Sequence, residues 1–229
     1  MTLKVFADRM SQPSRAVILF CKLNKINFEE VRIDLFKRQH FSQEFAEINP
    51  LRQVPAIVDG RFKLYERYPA DVSKRAKIHS VLDWHHLNLR YGAMRYVVNT
   101  TLGPALGRPL DSQAAARAEK VLDSSLATIE SVWLEGSGKF LLGSKSPSIA
   151  DLSLVCEIMQ LEVLDEKDRA RILNPYKKVR AWIEATKVAT HPHFDDVHGV
   201  LFRAKAKFQK QRERDLTAAS SNARLHSKM

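Results

Sequence analysis

Two cysteines in 229 residues, Cys21 and Cys156, are too few for a disulfide scaffold. Each follows apolar residues in a stretch that reads as helix, which makes them inert core thiols and points to a reducing compartment. Neither has a second cysteine at metal-ligand spacing. Long hydrophobic runs are missing too. Stretches such as Ala16 to Phe20 fall far short of the ~20 apolar residues that span a bilayer, so no membrane segment is expected. No apolar region with a small-residue cleavage site follows Met1-Thr2-Leu3-Lys4, so no secretory signal is expected. No segment repeats. A hydrophobic share of 45% nevertheless permits a packed core, and the length suits one or two compact domains.

Negative charge is in short supply. Asp and Glu number 26 against 37 Lys and Arg, a net charge of +11. The excess is uneven. From Arg203 onward, eight basic residues (Arg203, Lys205, Lys207, Lys210, Arg212, Arg214, Arg224, Lys228) face two acidic ones, Glu213 and Asp215, so this tail carries +6 of the total. No aromatic interleaving or known nucleic-acid motif accompanies the charge, so a solvated helix face running into a disordered end is expected in place of a nucleic-acid surface.

The first third alternates strand and helix signals. Leu3 to Ala7 reads as a strand that Ser11-Gln12-Pro13 breaks, and Ser14 to Leu23 as a helix that Ser14 can cap. Phe28 to Asp34 suits a strand, and Ser42 to Ile48 a short helix ending before Asn49-Pro50. Val54 to Asp59 and Phe62 to Glu66 form a hairpin, with Asp59-Gly60 as its turn. The order is β-α-β-α-β-β, an α/β layout. After Tyr68-Pro69 the pattern is helical only. Ile78, Leu82, His85 and Leu89 form one stripe of a long helix. Ser112 to Leu134 gives another, with Ala115, Ala118, Leu122, Leu126 and Ile129 inward. Ser148-Ile149-Ala150-Asp151 is a capping box opening a helix apolar on more than one side, which places that helix at the centre of a bundle. Pro175 to Thr186 and Phe194 to Lys210 are further helices. The expected divisions are 1–68 for the α/β domain, 73–211 for the helical domain and 212–229 for a basic disordered tail.

Four segments carry a resemblance: Ala7 to Ala16, Asn49-Pro50 with Gln53-Val54-Pro55-Ala56, Leu82-Asp83-Trp84-His85-His86, and Pro147 to Leu152. Together they resemble the glutathione transferases, and most of all the plant theta class, over nearly the whole chain. The resemblance implies a thioredoxin-like N-terminal domain followed by an all-α helical bundle. It also implies conjugation of glutathione to small apolar electrophiles, with glutathione-dependent reduction of organic hydroperoxides as a second activity. Glutathione would be co-substrate, with no cofactor and no metal.

In such a site Ser11 is the donor that stabilises the glutathione thiolate. A free thiol has a pKa of ~8.5, and a hydroxyl donating to the sulfur favours the anion. From the residues alone, the preferred reading of Ser11 is the end of the first strand. The resemblance implies that Gln12 lines the same cleft and that His40 contacts the glycine end of glutathione, although an exposed loop histidine reads the same way. Gln53 and Val54 precede a cis Pro55 in the family, where the Val54 backbone pairs with the extended ligand like an added strand. Glu66 faces the γ-glutamyl ammonium group. His85, His86, His191 and His193 have no ligand set of the usual spacing around them.

The chain departs from the family after Glu66. Arg67-Tyr68-Pro69-Ala70-Asp71-Val72 leads straight into the bundle, where the family continues with a serine and a third helix of roughly 15 residues. The expected consequences are an incomplete γ-glutamyl subsite, impaired activity and a weakened homodimer. A non-catalytic relative that binds apolar ligands or a partner protein is the alternative. The terminal Ser227-Lys228-Met229 resembles a peroxisomal import signal, giving an expectation of peroxisomal as well as cytosolic location.

Overall fold

The structure, a computed structural model, describes residues 2–59, 62–64 and 72–226. Four strands form one mixed sheet: β1 (Leu3–Ala7), β2 (Phe28–Arg32), β3 (Ala56–Asp59) and β4 (Phe62–Leu64), in the order β2-β1-β3-β4. β2 runs parallel to β1, with Ala7 opposite Arg32. β3 runs antiparallel to β1, with Phe6 opposite Ala56, and β4 returns antiparallel to β3.

The crossover from β1 to β2 is helix α1 (Gln12–Leu23), and α2 (Gln43–Ile48) precedes β3. The Ser42 hydroxyl accepts from the Phe45 N–H at 3.2 Å and caps α2. Helix α1 buries residues on all sides, among them Ser14, Arg15, Val17, Ile18, Leu19 and Cys21. This follows from its position: it covers the sheet and packs on its other side against the helical domain. The expectation that Ser14 caps this helix is corrected. The helix begins at Gln12 with Ser11 at the cap position, because proline is accommodated in a first turn whose N–H groups need no helical partner.

The helical part comprises α3 (Val72–Leu87), α4 (Leu89–Val97), α5 (Ser112–Thr128), α6 (Ile149–Ile158), α7 (Glu166–Leu173), α8 (Lys177–Ala189) and α9 (His193–His226). Ile78, Val81, His85 and Leu89 are buried, close to the expected stripe. The stripe is split at Asn88, whose side-chain amide donates to the Trp84 carbonyl at 2.8 Å and competes with the helical pattern. Ala115, Ala118, Leu122, Leu126 and Ile129 are all buried, as the pattern of α5 requires. Helix α6 is central: Leu152, Leu154, Val155, Cys156 and Ile158 are buried, and it packs against α1, α3, α4 and α8. Its capping box is closed, with the Ser148 hydroxyl accepting from Ala150 N–H at 3.2 Å and Asp151 Oδ2 accepting from Ser148 N–H at 2.7 Å.

The segment expected to be a disordered tail from residue 212 is also corrected. Helix α9 continues past Lys210 to His226, since no glycine or proline interrupts the sequence there. Ser227-Lys228-Met229 lies outside the described residues. Only residues 65–71 separate β4 from α3, and among the described residues no helix intervenes. No helix among the described residues is long and apolar enough to cross a membrane.

Candidate functional site

Strand direction gathers the candidate residues at one end of the sheet. The chain leaves the carboxyl end of β1 into Asp8-Arg9-Met10-Ser11, and leaves the adjacent carboxyl end of β2 toward His40. It enters β3 at the same end, just after Gln53-Val54-Pro55. Glu66 follows β4 and lies outside the described residues.

Ser11 sits at the N-cap of α1 with extended dihedrals (φ −76°, ψ 126°), yet its hydroxyl makes no capping hydrogen bond. The turn is fixed by other groups. Ser11 N–H donates to the Asp8 carbonyl at 2.9 Å. Asp8 Oδ1 accepts from Met10 N–H at 2.8 Å and Oδ2 from Leu35 N–H at 2.9 Å, which ties the turn to the segment after β2. Among the described residues the Ser11 hydroxyl has no hydrogen-bond partner, at a helix start whose free N–H groups favour negative charge. Only 8% of Ser11 is exposed, so a group held there is shielded from bulk water.

Gln12 turns toward the helical domain, where its Nε2 lies 3.5 Å from Met94 Sδ, and it is buried. It lies on the junction between the domains. His40 occupies a short 3₁₀ turn, Gln39–Phe41, with its ring 4.0 Å from that of Phe41. Its Nδ1 is buried without a hydrogen-bond partner. Burial, and then the neighbouring Arg38, hold its pKa below the ordinary histidine value, against the pull of Asp8. The ring is neutral at neutral pH and retains one N–H to offer a ligand.

The Val54–Pro55 peptide bond is cis, as the resemblance implies. Neither the N–H nor the C=O of Val54 carries a hydrogen bond among the described residues, so both are available to an extended ligand. Asn49, buried beneath this loop, donates to the Gln53 carbonyl at 2.8 Å and accepts from Leu51 N–H at 3.0 Å. Arg52 reaches across to the Phe41 carbonyl at 2.8 Å and joins the Val54 loop to the His40 turn. Arg38 and Arg52 both adopt left-handed backbone (φ 58° and 54°), a costly conformation for side-chain-bearing residues and one that gathers at ligand sites.

Of the remaining candidate histidines, His85 is buried, His193 is half-buried, and His86 and His191 are exposed. His85 Nε2 lies 3.4 Å from Glu157 Oε1, and Arg90 Nη1 donates to the same oxygen at 2.5 Å. Burial would raise the Glu157 pKa, but the contacts from His85 and Arg90 outweigh it and bring the carboxyl below its ordinary value. Cys156 is buried, and its thiol is pushed up to about 12, so it stays protonated. Among the described residues no cluster of three or more His, Cys, Asp or Glu side chains could hold a metal ion.

Two structural residues are not foreseen by sequence pattern: Asp8, which holds the Ser11 turn, and Arg15, which is buried beneath it. The one available signal was a charged residue directly before the apolar run Ala16-Val17-Ile18-Leu19.

This sheet end carries a serine at the start of the first helix whose hydroxyl makes no capping bond and, before a cis proline, a Val54 backbone without hydrogen bonds among the described residues, on a chain whose second part is helical. Comparison with known proteins gives the family. Residues 1–67 match the glutathione S-transferase N-terminal domain and residues 112–185 the glutathione S-transferase C-terminal domain. The chain belongs to the glutathione S-transferase family, and its full-length likeness is to the theta class as found in plants. It is 62% identical to Arabidopsis thaliana glutathione S-transferase T1 over 93% of this chain and 94% of that protein. It is 63% identical to T2 of the same plant over 93% of this chain, which spans only 39% of T2. It also matches a human theta-class glutathione transferase solved in complex with the glutathione conjugate of 1-menaphthyl sulfate, with a TM-score of 0.81, 29% identity and coverage of 93% and 92% of the two chains.

Proposed function

We propose that the chain is an active glutathione transferase in which the Ser11 hydroxyl donates to the sulfur of bound glutathione and so favours the thiolate, the nucleophile that attacks an electrophilic carbon. The observation that carries this reading is the serine hydroxyl at the start of α1, free of any capping bond and at the same end of the sheet as the Val54 backbone, which has no hydrogen bond among the described residues. The thiolate displaces or adds to the electrophile, a carbon–sulfur bond forms, and the leaving group departs with the electron pair. The same thiolate can attack the terminal oxygen of an organic hydroperoxide, forming an S–O bond as the O–O bond breaks and the alcohol leaves, after which a second glutathione reduces the glutathione sulfenic acid to the disulfide with loss of water. That a human theta-class structure holds a glutathione conjugate supports the assignment of substrate.

The short connection through residues 65–71 leaves no room for a helix of about 15 residues, and with it goes a helix N-terminus to face the ligand carboxylate. Arg67, next to Glu66 in sequence, lies outside the described residues. We therefore propose low turnover and a weakened homodimer.

Conjugation of glutathione to a chromogenic aryl halide tests the reading. Activity in the parent, lost to near the uncatalysed rate in Ser11→Ala with unchanged thermal unfolding, is the expected result. Equal rates in the two proteins contradict the assignment of Ser11. No activity in either protein, with no glutathione binding, favours a non-catalytic relative.

A further inference from the structure

Arg15 is 0% exposed, which is exceptional for an arginine. A buried guanidinium is costly unless its donors are satisfied, and an apolar residue of similar volume would often serve stability as well. Four bonds engage its two terminal Nη groups here, while Nε is buried without a partner. Nη1 donates to the carbonyls of Arg9 (2.9 Å) and Met10 (3.1 Å), the two residues immediately before Ser11. Nη2 donates to the Cys156 carbonyl (2.9 Å) and to Gln160 Oε1 (3.1 Å), on α6 and the turn that follows it. All four acceptors are neutral. The fork thus spans the two domains, with the Ser11 turn on one side and the central helix of the bundle on the other.

The charged and titratable groups around it do not offer a competing role. Asp8 is engaged by two backbone N–H groups, and Glu157 by Arg90 and His85. The Cys156 thiol is protonated, and His198 on α9 is kept neutral by burial and by Arg15 itself. Asp8 fixes the Met10 amide from the sheet side, whereas Arg15 fixes the Arg9 and Met10 carbonyls from the helical side. Between them the peptide groups leading into Ser11 are held on both faces.

We propose that Arg15 is a positioning residue for the Ser11 hydroxyl, locking the Ser11 turn against α6 so that contact between the domains sets the geometry of the thiol site. The proposal rests on Ser11 as the thiol-activating residue, and the bidentate fork is what the position requires. A lysine keeps the charge but is a point donor on a flexible stem and cannot reach four acceptors in two directions.

The test uses Arg15→Lys in the full chain, read in two ways. In the thiol-free protein, hydrogen exchange at the Met10 and Ser11 amides should accelerate by about tenfold or more relative to amides of α6 and α8, the loss expected when charge-assisted bonds are removed locally. In the conjugation assay kcat should fall by a similar factor while KM for glutathione changes by less than about threefold, since misplacing the hydroxyl affects the transition state more than binding at the Val54 edge. A merely structural arginine would accelerate exchange uniformly and leave kcat of the folded fraction unchanged, which overturns the proposal. So does a Lys variant with parental kcat, because charge alone would then suffice. If Arg15→Lys does not fold, Gln160→Met removes a single acceptor at similar volume. It should accelerate Met10 and Ser11 exchange selectively, by roughly fivefold, and unchanged exchange overturns the proposal. Ser11→Ala measured alongside separates the two readings: equal turnover there removes the role of Ser11, while the exchange data still decide whether Arg15 holds the turn.

Discussion

Ser11 is available because its neighbours do the structural work that a serine at a helix start normally does. With no capping bond to lose, its hydroxyl contributes little to folding. Ser11→Ala should therefore alter stability by less than about 1 kcal/mol, at the low end of the range for removing a cap, as measured by denaturant unfolding. His198 behaves differently. Its ring stacks on Phe194 at 4.1 Å, its Nδ1 lies 2.8 Å from the Phe194 carbonyl, and burial depresses its pKa from 6.5 to about 3. In that window the unfolded chain binds a proton that the folded chain refuses, so stability is retained above pH 6.5 and falls as pH drops toward 3. One such group gives a slope of up to ~1.4 kcal/mol per pH unit. His198→Phe should flatten the acid limb of stability against pH by about one proton, and an unchanged slope would show that His198 is not the group responsible. Single residues were the hardest scale to read from sequence. Asp8 and Arg15 act through partners far along the chain, the turn after β2 and α6, and a lone charge in an apolar helix announces a need for partners without naming them.

Among the elements, α6 was legible because Ser148 and Asp151 sit at capping distance ahead of a helix apolar on several sides. What sequence spacing concealed is how much converges on Asp151. Besides Ser148, its carboxylate accepts from Leu141 N–H at 2.9 Å and from Trp182 Nε1–H at 2.9 Å. Asp151→Ala would leave the N–H groups of Leu141, Ser148 and Trp182 buried without partners, so a loss of about 3 kcal/mol or more is expected in denaturant unfolding, well above the ~1 kcal/mol of an ordinary cap. A loss below 1 kcal/mol would show that water replaces the carboxylate. Helices α4 and α5 meet at Gly92, where a Cβ would lie 2.6 Å from the Leu122 backbone nitrogen and 2.8 Å from its Cα. Backbone cannot step aside as a side chain can, so Gly92→Ala should lower stability by roughly 1–3 kcal/mol through separation of the two helices. The start of α1 and the end of α9 were misplaced from sequence for simple reasons. Proline is as compatible with a first helical turn as with a strand break, and a basic tail lacking glycine and proline suits a helix as well as it suits disorder.

For the whole molecule, the two-domain plan and the sheet end that carries the site follow from strand order, and both were readable in the β-α-β-α-β-β pattern. The domains are joined at three levels: the buried Arg15 fork, the packing of α1 on α6 and α9, and surface ion pairs of Asp196 with Arg9 and Lys22, each at 3.1 Å. The surface pairs are partly exposed and contribute at most about 1 kcal/mol, so Asp196→Asn should have little effect on unfolding at physiological salt. The short connection through residues 65–71 has the larger consequence. On the proposed function, loss of one charge-assisted hydrogen bond to the γ-glutamyl carboxylate, worth roughly 1.5–3 kcal/mol, should weaken glutathione binding about ten- to a hundredfold compared with a protein that has the intervening helix. The most direct measurement is therefore titration calorimetry of glutathione into the purified chain and Ser11→Ala, with the ultraviolet absorbance of the bound thiolate followed against pH. The expected result is weak binding by both proteins, with the thiol pKa lowered below its free value of ~8.5 only in the parent. Tight binding would show that the missing helix is dispensable, and an equally lowered thiol pKa in Ser11→Ala would contradict the serine as the group that makes the thiolate.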